Sequence, residues 1–219
     1  MLFKATRIQC IWRDATYKLY AAFLENDFKK FVVPKIQNKA DLDKMVSFLS
    51  GYDAQIILLV ETPRLYLELL TAITDYKNAI FGLALGSHDY MAAIGGAHTL
   101  KNLEVVRQNM LSMARAINGI AVDIASMDLG NLEDFEVELQ DGFNKGFDAK
   151  FLIHPKQYEF FKAYTFYSED EYTHALKIVA LLEDVKSDTK EFNPVVVDGQ
   201  IIERPHLDRA LKIVNTYRN

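Results

Sequence analysis

Two carboxylates stand where a chain of this pattern would do chemistry. Glu61 closes the apolar run Ile56–Val60, and Asp89 ends the cluster Gly86-Ser87-His88-Asp89 that follows the run Ile80–Leu85. They are 28 positions apart. Apolar runs of this length, each followed by a turn signal, read as strands buried on both faces. Between them, Pro63–Ile73 carries Leu65, Leu69 and Ala72 at helical spacing, with Pro63 at a first-turn position. The stretch is a strand–helix–strand unit that puts Glu61 and Asp89 at the carboxyl ends of consecutive parallel strands. In a barrel of such units, that end carries the chemistry. Two oxygen ligands on neighbouring strand tips, with water completing the shell, suit a hard ion such as Mg²⁺. Acids are also favoured as helix caps at such junctions, so the spacing alone leaves both roles open.

The elements that must hold this pair alternate along the chain. Phe3–Ile11 has β character, Tyr17–Leu24 a helical pattern, and Phe31-Val32-Val33 is a compact strand ended by Pro34-Lys35. Asp41–Leu49 is helical, with Leu42, Met45, Val46 and Leu49 on one face. Gly95-Gly96 marks a loop before the amphipathic helix Lys101–Asn118, which Gly119 closes. Strand Ile120–Ala125, helix Leu132–Phe143 and strand Phe151–Ile153, ending at His154-Pro155, follow. Six strand candidates, each followed by a helix or crossover, define an α/β chain of the TIM-type parallel β/α barrel. A complete barrel needs eight units, so this one is expected to be shortened at its N-terminus.

The tail breaks the alternation. Ser168-Glu169-Asp170-Glu171 is a capping-box start, and the helix it opens carries Tyr172, Ala175, Leu176, Val179 and Leu182 on one face. A polar link, Glu183–Asn193, leads to Val195–Val197, the turn Asp198-Gly199 and Ile201-Ile202, a hairpin signal. A helix from Pro205 ends the chain. The expected division is a barrel domain over 1–165 and a helix–hairpin–helix cap over 166–219, the cap packing on a neighbouring subunit.

Composition narrows the classes. The net charge is −5, from 25 basic and 30 acidic side chains, and no basic stripe appears, which argues against nucleic acid. No apolar run approaches the length that spans a bilayer. The single cysteine, Cys10, fits a reducing compartment and no internal disulfide framework. A cytoplasmic protein without membrane contact is expected.

The ordered motifs Thr6-Arg7-Ile8-Gln9, Val33-Pro34-Lys35, Val60-Glu61-Thr62-Pro63 and Leu85-Gly86-Ser87-His88-Asp89-Tyr90 resemble the citrate lyase β-subunit-like family (citryl-CoA and malyl-CoA lyases) of the HpcH/HpaI aldolase superfamily. The match continues through Ala121-Val122-Asp123, Gly146–Lys150 with Ile153–Gln157, and Asp198–Pro205. The resemblance implies a Mg²⁺-dependent carbon–carbon lyase or aldolase-type enzyme acting on a short oxo or hydroxy acid, often as a CoA thioester. It implies metal ligands at Glu61 and Asp89, a substrate-carboxylate arginine at Arg7, and an acid/base group at Glu203. In family trimers that last group reaches a neighbour's site, so a homo-oligomer, trimer or hexamer, is expected. Lys35, Gly86 and His154 at strand tips are expected to line the substrate site. The chemistry agrees: a divalent ion stabilises enolate charge, a guanidinium grips a carboxylate at two points, and a carboxylate can move the proton. Departures are His88 where the family often has an acid, Gln9 for Asn, Glu203 for Asp, and no counterpart of the first two family strands. Two further readings stand beside this one: a non-catalytic or partner-dependent barrel subunit, which the departures suggest, and an acyl-CoA thioester hydrolase, since water can attack the thioester at the same site.

Overall fold

The computed structural model describes residues 6–7, 14–183, 194–197 and 199–217. The chain divides into two compact units, Met1–Glu159 and Phe160–Asn219. The expected boundary, at 165/166, lies six residues beyond this one.

In the first unit, strands and helices alternate: β1 (Thr6–Arg7), α1 (Asp14–Glu25), β2 (Lys30–Val33), α2 (Lys39–Leu49), β3 (Gln55–Val60) and α3 (Pro63–Ala72). They continue with β4 (Ile80–Leu85), α4 (Ser87–Ile94), α5 (Leu100–Ala116), β5 (Ile120–Asp123), α6 (Leu132–Lys145), β6 (Ala149–Lys150) and α7 (Pro155–Ala163), which runs across the boundary between units. The six strands form one sheet in sequence order, with every pairing parallel. Among the described residues, this is the winding of a β/α barrel carried over six strands.

Local signals explain the helix starts. The side chains of Asn38, Thr62, Thr99 and Asn131 each accept a hydrogen bond from a first-turn N–H of α2, α3, α5 and α6. The sheet then sorts its side chains with period two. Phe31, Val33, Ile56, Leu58, Val60, Leu83, Leu85 and Ala121 join the large core with Leu42, Met45, Leu65, Leu69, Leu103, Val106 and Met110 of the helices. Val32, Ile57, Leu59, Ala84 and Val122 form a smaller cluster on the other face. Glu61 extends the alternation Ile57, Leu59, and Gly86 extends it from Ala84. Since Val60 pairs with Leu85, these two tips lie side by side.

Three details differ from expectation. The polar cluster after β4, a turn signal in the sequence, opens a helix, for Ser87–Ile94 is helical and ends at Gly95 in the left-handed region (φ 78°). The last strand is Ala149–Lys150 rather than Phe151–Ile153, because the Ile153 N–H is taken by the side chain of Gln157. Asn118 (φ 54°), not Gly119, takes the left-handed position after α5. Most of the expected first strand, Gln9 and Cys10 included, the link over 184–193 and the turn residue Asp198 lie outside the described residues.

The second unit holds α8 (Glu169–Glu183), an antiparallel hairpin of β7 (Val195–Val197) and β8 (Gln200–Ile202), and α9 (Arg204–Tyr217). The capping box is reciprocal: the Glu171 N–H donates to Ser168 Oγ at 3.2 Å, and the Ser168 N–H donates to Glu171 Oε2 at 2.9 Å. Helices α8 and α9 pack together, with Ala175, Ile178, Leu207, Ala210, Ile213 and Val214 buried.

Candidate active site

Three strand tips converge on one point. Glu61, just past β3, is 3% exposed, which for a carboxylate demands partners. Its Oε2 accepts the backbone N–H of Lys35 at 2.5 Å, and its Oε1 lies 3.2 Å from Lys35 Nζ. The same Nζ donates to Asp89 Oδ2 at 2.7 Å. Asp89 stands in the first turn of α4, where the helix dipole favours an acid. Glu61 and Asp89, expected from the sequence as a pair, thus meet at a single cation.

Lys35 makes this possible through its backbone. Its φ of 64° lies in the left-handed region, which costs an L residue about 1–2 kcal/mol. That turn aims both the N–H and the ammonium of Lys35 at Glu61. Gly86 makes room from the other side: a Cβ there would lie 2.4 Å from Glu61 Cγ. Only a glycine at this tip lets the buried carboxylate into its place.

Burial pushes the Glu61 carboxyl above the ordinary range. The Lys35 N–H and ammonium oppose that push, and the neighbouring Asp89 carboxyl adds to it. Lys35 is raised in turn, chiefly by its hydrogen bond to Asp89. Two carboxylates on a common cation are a donor set that fits a hard divalent ion. Among the described residues, no group of three or more His, Cys, Asp or Glu side chains could hold a metal. The rest of an octahedral shell would fall to water and to oxygens of a bound acid.

The other expected residues stand as follows. The backbone of Arg7 pairs with Val32 in the sheet, whereas its side chain lies outside what is described. His154 sits at the start of α7, where its Nδ1 accepts the Lys156 N–H at 3.1 Å. Glu203 is exposed in the second unit just before α9, and its carbonyl accepts the N–H groups of His206 and Leu207.

Two features beside the site were not anticipated. The rings of His88 and His98 stack, 3.7 Å between centroids and 6° apart in plane, and His98 Nε2 lies 2.9 Å from Ser87 Oγ. Burial, then the His88 ring, lowers the His98 pKa, with Glu138 opposing and Lys150 adding to the fall. Second, Arg107 is fully buried in α5 and grips Asp123 at the end of β5 by two bonds, 3.0 and 2.8 Å, and Asp141 of α6 by one, 2.6 Å. Gly142 admits this pair, since a Cβ there would lie within van der Waals overlap of Asp123 Oδ2. An arginine among Leu103, Val106 and Met110 was the signal for it.

A parallel β/α sheet with paired carboxylates at its carboxyl-end tips defines a β/α-barrel scaffold with the usual site placement. The chain belongs to the HpcH/HpaI aldolase/citrate lyase family, whose model matches residues 13–155. It is 25% identical over 210 residues to citrate lyase subunit beta of Leuconostoc mesenteroides, a match spanning 88% of this chain and 69% of that one. It is 26% identical over 191 residues to (3S)-malyl-CoA thioesterase of Cereibacter sphaeroides, spanning 86% of this chain and 65% of that one. The chain thus spans about two thirds of the length of these relatives. Among solved structures, protein CitE of Mycobacterium tuberculosis in complex with magnesium, acetoacetate and coenzyme A superposes with a TM-score of 0.77 at 23% identity, covering 97% of this chain and 77% of that one. RipC of Yersinia pestis gives a TM-score of 0.62 at 26% identity, covering 70% and 72%.

Proposed function

We propose that the chain is a Mg²⁺-dependent carbon–carbon lyase or aldolase-type enzyme that cleaves or condenses a short oxo or hydroxy acid, as a CoA thioester. The observation that carries this reading is the meeting of Glu61 and Asp89 at one cation, beside a glycine that exists to admit Glu61. When bound there, the ion would polarise the acid's carbonyl and stabilise the negative charge that develops on its oxygen.

The chain's own residues do the rest. Glu61, fixed by the Lys35 N–H, holds one ligand position without reorganisation. Asp89, more exposed, holds the second. Arg7 is assigned the acid's carboxylate, which a guanidinium suits by two-point recognition. Lys35, Gly86 and His154 line the acid's surroundings, and Glu203 of a neighbouring copy moves the proton at the carbon whose carbon–carbon bond is made or broken. This division of labour calls for a homo-oligomer, a trimer or hexamer, with a barrel domain over 1–165 and a cap over 166–219 that brings Glu203 across. Among the described residues, no helix is long and apolar enough to cross a membrane. We place the protein in the cytoplasm, with no nucleic-acid partner.

A second reading, hydrolysis of an acyl-CoA thioester at the same site, is favoured by the likeness to the Cereibacter thioesterase. One experiment separates them. The full chain with Mg²⁺ is offered malyl-CoA, citramalyl-CoA and citryl-CoA. A lyase releases an oxo acid and a shorter acyl-CoA, and a hydrolase releases free CoA thiol. No metal-dependent product from any of the three refutes both.

A further inference from the structure

The site's carboxylates already share a cation, and it belongs to the chain. Lys35 Nζ lies 3.2 Å from Glu61 Oε1 and 2.7 Å from Asp89 Oδ2, in the space between the two groups. A divalent ion bound by both would need to lie about 2.0–2.6 Å from an oxygen of each. That region is the one the ammonium fills, and two cations cannot share it. The partners differ in their freedom to leave. The Glu61 side chain is 3% exposed and tied to the Lys35 N–H, whereas the Lys35 side chain is 44% exposed and has a path to solvent. The backbone bond that fixes Glu61 does not involve the ammonium, so the carboxylate keeps its place when the ammonium departs.

We propose that Lys35 is a resident counter-ion which a divalent cation displaces, so that metal loading and release of the Lys35 ammonium are a single exchange. This inference rests on the reading of Glu61 and Asp89 as metal ligands. The exchange has a use. In the metal-free protein the lysine keeps two neighbouring carboxylates, one of them buried, from repelling each other. In the loaded protein it leaves a primary ammonium on a four-carbon tether beside the ion, ready to donate to an acid's carboxylate. It also sets the metal affinity below what the carboxylates alone would give.

The test uses the full chain and Mn²⁺ alone, with free ion followed by electron paramagnetic resonance. Lys35→Gln and Lys35→Asn are compared with the wild-type chain; both keep the backbone N–H to Glu61, and Asn tolerates the left-handed backbone. Displacement predicts that each variant binds Mn²⁺ about tenfold tighter than wild type, as expected when a competing charge-assisted bond between partly exposed groups is removed. It also predicts a larger rise in melting temperature at saturating Mn²⁺ in the variants. In the wild-type chain, Mg²⁺ should shift the side-chain ammonium resonance of Lys35, assigned by its absence from Lys35→Gln. Unchanged or weaker Mn²⁺ binding in both variants, with an unmoved resonance, overturns the displacement and leaves the metal site standing. Failure of wild type and both variants to bind Mn²⁺ overturns the site as well.

Discussion

Substituting Gly86 by alanine tests the geometry of the site through a single added methyl group. The backbone at Gly86 has φ −79°, which any residue adopts, so the change brings no conformational strain of its own. The new Cβ would lie 2.4 Å from Glu61 Cγ. Carbon atoms pack at about 3.5–4.0 Å, so the shortfall exceeds ~1 Å. Glu61 cannot yield freely, because it is buried and held by the Lys35 N–H at 2.5 Å. Either β3 and β4 part at their tips or the carboxylate leaves its seat. Overpacking of this kind costs about 1–3 kcal/mol, read by urea denaturation. Displacing a ligand by about 1 Å weakens Mn²⁺ binding by tenfold or more. The control is Glu61→Ala. In that background the obstructing Cγ is gone, the remaining Cβ contact of 3.4 Å is ordinary, and Gly86→Ala should cost almost nothing. The coupling in this double-mutant cycle is therefore about as large as the cost of the single change. Additive costs, or wild-type Mn²⁺ affinity in Gly86→Ala, would refute the assignment of Gly86 as the space that admits Glu61.

Two further outcomes follow. Arg107→Met leaves Asp123 buried without its guanidinium, and loss of one partner from such a pair costs about 3–5 kcal/mol, or roughly 6–20 °C in melting temperature for a chain of this size, measured by calorimetry. His98 titrates below the ordinary histidine range, so between its folded value and about 6.5 the unfolded chain binds the extra proton. Stability from this source is complete above pH ~6.5 and falls as the pH drops below it. In His98→Gln the slope of stability against pH in that window should flatten, and an unchanged slope would assign it to other groups.

The parts of the fold that could be read in advance are those with a local cause. Ile56–Val60 and Ile80–Leu85 announce themselves as buried strands by unbroken apolar character, and Pro63, Ser168 and Glu171 mark helix starts by chemistry confined to one turn. That Glu61 and Asp89 come together was legible because consecutive parallel strands bring their carboxyl ends side by side. What escaped depends on side chains meeting across the fold. Lys35 was expected at a strand tip near substrate, yet its place between two carboxylates follows from a left-handed φ that a lysine does not advertise. Gly86-Ser87-His88-Asp89 reads as a turn because it has the composition of one, although the same residues suit a helix amino end. Phe151–Ile153 has strand composition, but a glutamine four residues on claims the Ile153 N–H. The Arg107–Asp123–Asp141 network joins residues 16 and 34 positions apart, and only the oddity of an arginine on an apolar face pointed to it.

The proposed chemistry requires Glu61 and Asp89 to hold one divalent ion. Calorimetric titration of Mg²⁺ into the full chain with oxaloacetate present measures this directly. The prediction is one ion per chain, with affinity reduced about tenfold or more in Glu61→Gln and again in Asp89→Asn. Mg²⁺ binding that is absent from the wild-type chain, or equally strong in both variants, would contradict it.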